Sequence, residues 1–198
     1  QQIQYINLFK SQGMEALILP SAIDKPFVNY LEYRGENKFT MERIDSDLSE
    51  TLKSDNETNE ELNNEFKTLF SGILSKDKLT VKVENIKDSS ISAMILLSEK
   101  ERRLMDMLET YKYDDNLKAL YGNTIVEETL ILNGNNKLIK ALEELKNKPG
   151  KEEETKLICR QVYDLALMGQ KPLTSEEMAQ FIERSNLILE KLADKETN

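Results

Sequence analysis

Residues 173–192, with the sequence LTSEEMAQFIERSNLILEKL, predict a capped amphipathic helix near the end of the chain. Thr174 and Glu177 have the spacing of a capping box, in which each side chain accepts a hydrogen bond from the backbone N–H of the other residue. A glycine and a proline separate this helix from an earlier one. The two helices, predicted at residues 152–168 and 175–191, should therefore form a helical hairpin.

Both predicted helices of this hairpin carry apolar residues on two sides. At about 100° per residue, most of these residues gather on one side, while Tyr163, Leu167 and Leu187 point the other way. The larger set consists of Leu157, Ile158, Val162, Leu165, Met168, Met178, Phe181, Ile182, Ile188, Leu189 and Leu192. Each of the two apolar sides must pack against another element. One side packs against the chain's own domain. The other packs either against a second subunit, giving a four-helix bundle, or against more of the same chain.

The rest of the chain mixes predicted helices with predicted strands. Helices are predicted at residues 2–12, 23–33, 60–74, 99–111 and 138–145, and strands at 14–19, 38–44, 79–84, 92–97 and 124–132. Asp24 is the expected N-cap of the second helix. Strands followed by helices gathered at the end are typical of an α+β fold. The α-β-α-β order at the start is too small to form its own sheet, so we expect it to end a larger domain.

An acidic stretch divides these two parts. Residues 45–65 contain eight acidic residues and one basic residue. Because few apolar residues accompany them, a solvated boundary is predicted at residues 46–59. The predicted organisation is a first unit at residues 1–45, this acidic linker, and a second unit at residues 60–198.

The composition excludes several classes of function. Lys and Arg number 27 against 36 Asp and Glu, giving a net charge of −9. This balance argues against binding to nucleic acid or to an anionic membrane, since phosphate contacts need surplus basic residues. No apolar run is long enough to span a bilayer, and the first residues show no basic stretch followed by an apolar run. We expect an acidic, cytoplasmic fragment of a longer protein.

The site chemistry is limited in the same way. The chain has no His and a single Cys, Cys159. This excludes His-dependent nucleophilic sites, metal sites built on imidazole or several thiolates, and an internal disulfide. Phosphate-binding glycine motifs are missing, and the acidic stretch lacks the Gly and Glu of an EF-hand. We expect no catalytic, cofactor or metal site, and the alternatives that stay open are an acidic metal-dependent enzyme and a monomeric scaffold domain.

The predicted helix at residues 99–111 has an unusual apolar side. Its residues are Leu104, Met105, Met107, Leu108 and Tyr111. Methionine side chains repack easily, which suits a surface that accepts varied partners. The alternative is that this side is ordinary buried core.

Several separated segments, in order along almost the whole chain, resemble the C-terminal part of heat-shock protein 90 chaperones of the bacterial HtpG type. They are QYINLFKSQGMEALILPSAIDKPFVNYLE from Gln4, FTMERID from Phe39, SAMI from Ser92, SEKERRLMDML from Ser98, LILNGNN from Leu130 and FIERSNLILEKL from Phe181. The first two segments are similar to the end of the family's middle domain. The others are similar to its C-terminal dimerisation domain.

The resemblance implies a function for both unusual surfaces. In this family the last two helices of each protomer form the four-helix bundle of a constitutive homodimer. The amphipathic helix projects into the cleft between protomers, so Leu104, Met105, Met107, Leu108 and Tyr111 would contact unfolded or partly folded client proteins. The family's ATP and Mg²⁺ site lies in an N-terminal domain, so the resemblance implies an ATP-dependent chaperone whose fragment here does not hydrolyse ATP.

Three departures from the family pattern are visible. Lys25-Pro26-Phe27 replaces a Glu-Trp client-contacting pair of some bacterial members, and Phe27 would supply the aromatic contact there. Asn136-Lys137, which follows a turn predicted at residues 133–135, replaces a His-Pro pair. The ending ADKETN lacks the acidic tail of eukaryotic cytosolic members, which favours a bacterial protein.

Overall fold

The chain folds into helices packed around a small sheet. The computed structural model describes residues 3–21, 23–35, 38, 41, 44, 52–54, 60–76, 79–98 and 127–196. The helices of these ranges are α1 (Ile3–Ser11), α2 (Asp24–Arg34), α3 (Glu60–Leu74), α4 (Lys137–Leu145), α5 (Glu152–Met168) and α6 (Ser175–Glu196). The strands are β1 (Leu79–Glu84), β2 (Ala93–Leu96) and β3 (Glu128–Asn133). The predicted α+β class is confirmed.

The three strands form one mixed sheet with β3 in the centre. The strand order is β1-β3-β2, with β1 parallel and β2 antiparallel to β3. Side chains alternate between the two faces, as a strand's period of two requires. Along β3, Leu130 and Leu132 enter one core cluster and Ile131 enters another. The central strand is therefore buried on both faces.

Different helices cover the two faces of the sheet. On one face, Phe66 and Phe70 of α3 pack with Val162 and Leu167 of α5 in the larger core cluster. On the other face, Tyr5 and Leu8 of α1 pack in the smaller one. The Tyr5 hydroxyl also donates to the backbone carbonyl of Ile95 in β2, at 2.7 Å. Helix α1, from the predicted first unit, thus lies against the sheet of the predicted second unit.

A short piece of the predicted acidic linker is packed rather than solvated. Leu52 is fully buried in the smaller core cluster. Lys53 forms an isolated bridge with Ile86, and the backbone N–H of Ser54 donates to the carbonyl of Asn85 at 2.7 Å. The buried leucine side chain, worth roughly 2 kcal/mol, and these backbone contacts together attach this piece to the domain.

The side chain of Asn133, the last residue of β3, joins its own turn to the loop at residues 86–91 through four backbone groups. Its Oδ1 accepts from the backbone N–H of Ile86 and of Asn135, both at 3.0 Å. Its Nδ2 donates to the carbonyls of Asp88 and Ile91, at 2.9 and 2.8 Å. Asn133 has no exposed surface. All four hydrogen-bonding positions of the amide are therefore satisfied inside the protein.

The next residues complete this turn and begin α4. A Cβ at Gly134 would lie 2.5 Å from Oδ1 of Asn85, so only glycine fits without moving that side chain. Asn136 is the N-cap of α4, and its Oδ1 accepts from the backbone N–H groups of Leu138 and Ile139. The replacement of His-Pro at residues 136 and 137 thus gives a capped helix, because asparagine is a favoured N-cap.

Most predicted elements are confirmed, and one is wrong. The predicted strand at residues 14–19 has no regular structure, and Leu17, Ile18 and Leu19 are exposed. An extended segment becomes a strand only by pairing with a neighbour, and the strands described in this structure pair among themselves. The predicted strand at residues 38–44 and the predicted helix at 99–111 lie largely or wholly outside the described residues.

The predicted N-cap of α2 is also wrong. Ile23 occupies the N-cap position, and Asp24 is the first residue of the helix. The Asp24 carboxylate instead accepts a hydrogen bond from the backbone N–H of Ser21, at 2.7 Å. A carboxylate in the first helical turn is still favourable, because it faces the positive end of the helix dipole.

Candidate dimerisation surface

The helical hairpin is formed by α5 and α6, and its second helix is capped as predicted. The backbone N–H of Thr174 donates to Oε2 of Glu177 at 2.8 Å, and that of Glu177 donates to the Thr174 hydroxyl at 3.2 Å. The hydrogen bond from the Thr174 backbone lowers the pKa of the Glu177 carboxyl below its ordinary value. The capping box therefore fixes where α6 begins.

One side of α5 belongs to the core of the domain. Its buried residues are Thr155, Cys159, Val162, Tyr163, Ala166 and Leu167. Tyr163 and Leu167 were expected opposite the apolar stripe and are indeed on the core side. Val162, predicted for the stripe, is also in the core. Burial raises the pKa of the Cys159 thiol to about 12, so this thiol stays protonated and unreactive at neutral pH.

The hairpin loop is attached to the sheet by a cluster of polar side chains around Glu128, the first residue of β3. Its carboxylate accepts from the Tyr163 hydroxyl at 2.5 Å and lies 3.2 Å from Nζ of Lys76 and 3.7 Å from Nζ of Lys171. Burial, followed by the charge of Glu128, raises the pKa of Tyr163, which keeps its hydroxyl a donor. Because Tyr163 is on α5 and Lys171 follows it, the cluster orients the hairpin.

A second polar network joins α5 to α6. Arg184, which is almost fully buried, donates from Nε to Oε1 of Gln161 at 3.0 Å and from its guanidinium to Asp164. Gln161 in turn donates to the hydroxyl of Ser185 at 3.0 Å. Burial raises the pKa of the Asp164 carboxyl, although Arg184 opposes that shift. Removing one member would leave its partner buried and unpaired, which makes this network a strong constraint on the hairpin geometry.

The outer side of α6 is apolar and exposed. Met178, Ile182, Leu189 and Leu192 are 37%, 52%, 62% and 56% exposed. They are separated by four, seven and three residues. This is the spacing of a coiled-coil seam, in which contacts recur every 3.5 residues on average. We call these four residues the α6 stripe.

The other predicted interface residues are mostly less exposed than this stripe. Leu165 of α5 is 44% exposed, while Leu157, Ile158, Met168, Phe181 and Ile188 are half-buried. Phe181 and Ile188 lie on the side of α6 that carries Arg184 and faces α5. Leu187 is 40% exposed on a different side of α6 from the stripe. Among the predicted interface residues, Val162 is therefore buried in the larger core cluster, and Ile158 packs against that cluster.

Of the predicted client-contacting residues, only Phe27 lies in the part of the chain that the structure describes. Phe27 lies on α2 and is 53% exposed. Tyr30 and Tyr33 of the same helix are exposed as well, so Phe27 belongs to an aromatic surface. Leu104, Met105, Met107, Leu108 and Tyr111 lie outside the described residues.

Two kinds of site find no support in the described part of the chain. There, no group of three acidic or thiol side chains converges to hold a metal ion. Among the described helices, none is long and apolar enough to cross a membrane.

Sequence reasoning missed both polar networks. Asp164 and Gln161 are typical of the solvent side of an amphipathic helix, and nothing in their spacing distinguishes a buried use. For Glu128, at the start of a strand, the sequence likewise gives no signal of its contacts with Tyr163 and Lys76. A signal existed only for Arg184, because an arginine between the apolar positions 181, 182 and 188 lies close to the buried arc.

Comparison with known proteins identifies the family of the chain. The chain matches the family model described as Hsp90 protein over residues 1–198. It is also 34% identical, over 152 residues, to the chaperone protein HtpG of Bacteroides thetaiotaomicron. That match covers 71% of this chain and 21% of the relative, so the chain corresponds to about a fifth of the relative's length. The chain therefore belongs to the Hsp90 family of chaperones.

Proposed function

We propose that this chain is the dimerisation and client-contact module of an ATP-dependent chaperone, and that two copies associate through their α5–α6 hairpins. The observation that carries the proposal is the α6 stripe, four large apolar side chains exposed at coiled-coil spacing. Monomeric proteins rarely leave several large apolar side chains exposed together on one side of a helix. Packing against a second copy would cover it in a four-helix bundle.

The polar network of Arg184 supports this assignment. Because Arg184, Asp164 and Gln161 already hold α6 against α5, the stripe is not needed to close the hairpin. It is also preorganised, since both helices are fixed before a partner arrives. Preorganised surfaces lose less conformational entropy on association.

The module would contribute to chaperone action by linking two protomers permanently. A permanent link raises the effective concentration of weaker contacts elsewhere in the two chains, so these can open and close repeatedly. We infer that the ATP chemistry resides outside this chain, because its sequence lacks a phosphate-binding glycine motif. The parent protein would act in the bacterial cytoplasm.

The dimer is tested by the mass in solution, measured by light scattering on a sizing column over a dilution series. We expect twice the chain mass of 22.9 kDa, and we expect Leu189→Glu to give monomers, because it buries a carboxylate in the bundle. Leu187→Glu is the matched control, with the same change two residues away on another side of α6, and should stay dimeric. A dimer that survives Leu189→Glu at micromolar concentration would place the interface elsewhere.

The client-contact role is tested separately at the predicted helix of residues 99–111. We expect Leu104→Asp combined with Met107→Asp to reduce binding of an unfolded client at least several-fold, because it places two charges on the apolar side. The mass in solution should not change. The control exchanges the side chains, Leu104→Met with Met107→Leu, and keeps the surface apolar. Unchanged client binding by the charged variant would contradict this role.

A further inference from the structure

The turn after β3 contains a chemically labile pair of residues. Asn133-Gly134 is the one Asn-Gly pair in the 198-residue sequence. In such a pair the backbone nitrogen of Gly134 can attack Cγ of the Asn133 side chain, forming a C–N bond while ammonia leaves. Water then opens the cyclic imide at either carbonyl, giving aspartate or isoaspartate. Glycine favours the first step, since it has no Cβ to obstruct the approach.

The fold opposes this reaction at both reacting groups. The Asn133 amide is held by four hydrogen bonds and has no exposed surface. The attacking nitrogen, that of Gly134, donates its own hydrogen to the carbonyl of Glu84 at 3.0 Å. Ring closure requires the amide to rotate onto that nitrogen, which would break these contacts. Water, the second reactant, is excluded as well.

We propose that Asn133 is a deamidation site, protected in the folded chain and reactive in the unfolded chain, whose modification prevents refolding. The second part follows from the direction of its hydrogen bonds. Nδ2 donates to the carbonyls of Asp88 and Ile91. Aspartate places an oxygen there, which faces two other oxygens and carries a charge into a buried site. Isoaspartate adds an atom to the backbone at the last residue of β3, which displaces the turn that follows.

This chemistry makes unfolding partly irreversible. Each time the chain unfolds, the asparagine is released from its four partners and some molecules are modified before they refold. Those molecules cannot rebuild the turn and stay unfolded. The fraction of chains that lose the ability to refold therefore depends on the time spent unfolded and not on the age of the protein.

The experiment compares the rate of deamidation in the folded chain and in guanidinium chloride, at the same mildly alkaline pH, by peptide mass mapping over time. We expect the Asn133 peptide to deamidate at least about ten-fold faster when unfolded, because deamidation in the folded chain must wait for local unfolding of the turn. Asn147, exposed and followed by lysine, is the internal control and should react slowly in both states. Equal rates at Asn133 in both states would overturn the protection.

The block to refolding is measured on the same samples. After removal of the denaturant, the refolded fraction, isolated on a sizing column, should contain Asn133 almost entirely unmodified. The modified peptide should be concentrated in the aggregated or unfolded fraction. Asn133→Asp should refold as poorly as the modified pool. Modified chains that refold in proportion to their abundance, or a variant with the parent's unfolding midpoint, would overturn this part.

Discussion

The turn at Asn133 and the α6 stripe reverse the usual distribution of side chains in opposite ways. Asn133 is polar and completely buried, whereas Leu189 is apolar and 62% exposed. Both are a few residues from ordinary neighbours that follow the rule, such as buried Leu132 and exposed Glu190. A buried polar residue or a group of exposed apolar residues indicates a specific role, which a buried leucine does not.

The difference between the regions lies in where their partners are found. Every hydrogen-bonding position of Asn133 is satisfied by the backbone of the same chain. The stripe is covered by no element of the same chain that the structure describes, since its four side chains are exposed. The first region is therefore a device for folding, and the second is suited to association. Substitutions in the two regions should differ in how their effects depend on protein concentration.

The largest effect is expected from Asn133→Leu. This change removes four hydrogen bonds and leaves the N–H of Ile86 and the carbonyl of Ile91 buried without a partner, so the free energy of unfolding should fall by about 3–5 kcal/mol. The measurement is denaturant unfolding followed by circular dichroism. Asn147→Leu, at an exposed position, is the control and should change it by less than about 0.5 kcal/mol. A small effect at Asn133 would show that the turn does not hold these segments together.

A smaller, concentration-dependent effect is expected from Ile182→Ser combined with Leu189→Ser. If two copies cover the stripe, the parent's unfolding midpoint rises with protein concentration, and association adds about 2–3 kcal/mol at a hundred times the dissociation constant. The double variant should lose this dependence. In dilute solution its unfolding free energy should match the parent's, since both side chains are already exposed. If the unfolding midpoint of the parent does not change with protein concentration, the contrast between a stripe that associates and a turn that folds is contradicted.

The sequence predicted the regions with local signals and missed the contacts between distant residues. The capping box of Thr174 and Glu177 was correct because both partners lie within one helical turn. The turn at Asn133 was predicted as a turn, but the hydrogen bonds of its side chain to Ile86 and Ile91 were not predicted. Those partners are more than forty residues away along the chain, and no periodicity reports a pairing at that distance.

The failure at residues 14–19 has a different cause. Their apolar character was identified correctly, and a buried strand was the natural interpretation of an apolar run. Burial depends on a neighbour, however, and none of the described strands pairs with this segment. Leu17 is accordingly 77% exposed. Pattern predicts what a segment is able to do, and topology decides whether it does so.

The smallest effect is expected at Glu177, where a local signal was correct and its energy is modest. The folded pKa of this carboxyl is lowered, chiefly by the hydrogen bond from the Thr174 backbone. A lowered folded pKa stabilises the protein above the unfolded value of about 4.3, and that stability is lost as the pH falls through the folded pKa. Glu177→Gln should therefore lower the unfolding free energy by about 0.5–1 kcal/mol at neutral pH, and by less in acid. Glu176→Gln, one residue earlier and exposed, is the control. If both variants unfold alike at neutral pH, the charge of Glu177 adds nothing to the capping box, and the hydrogen bond from Thr174, which glutamine can also accept, is sufficient to begin α6.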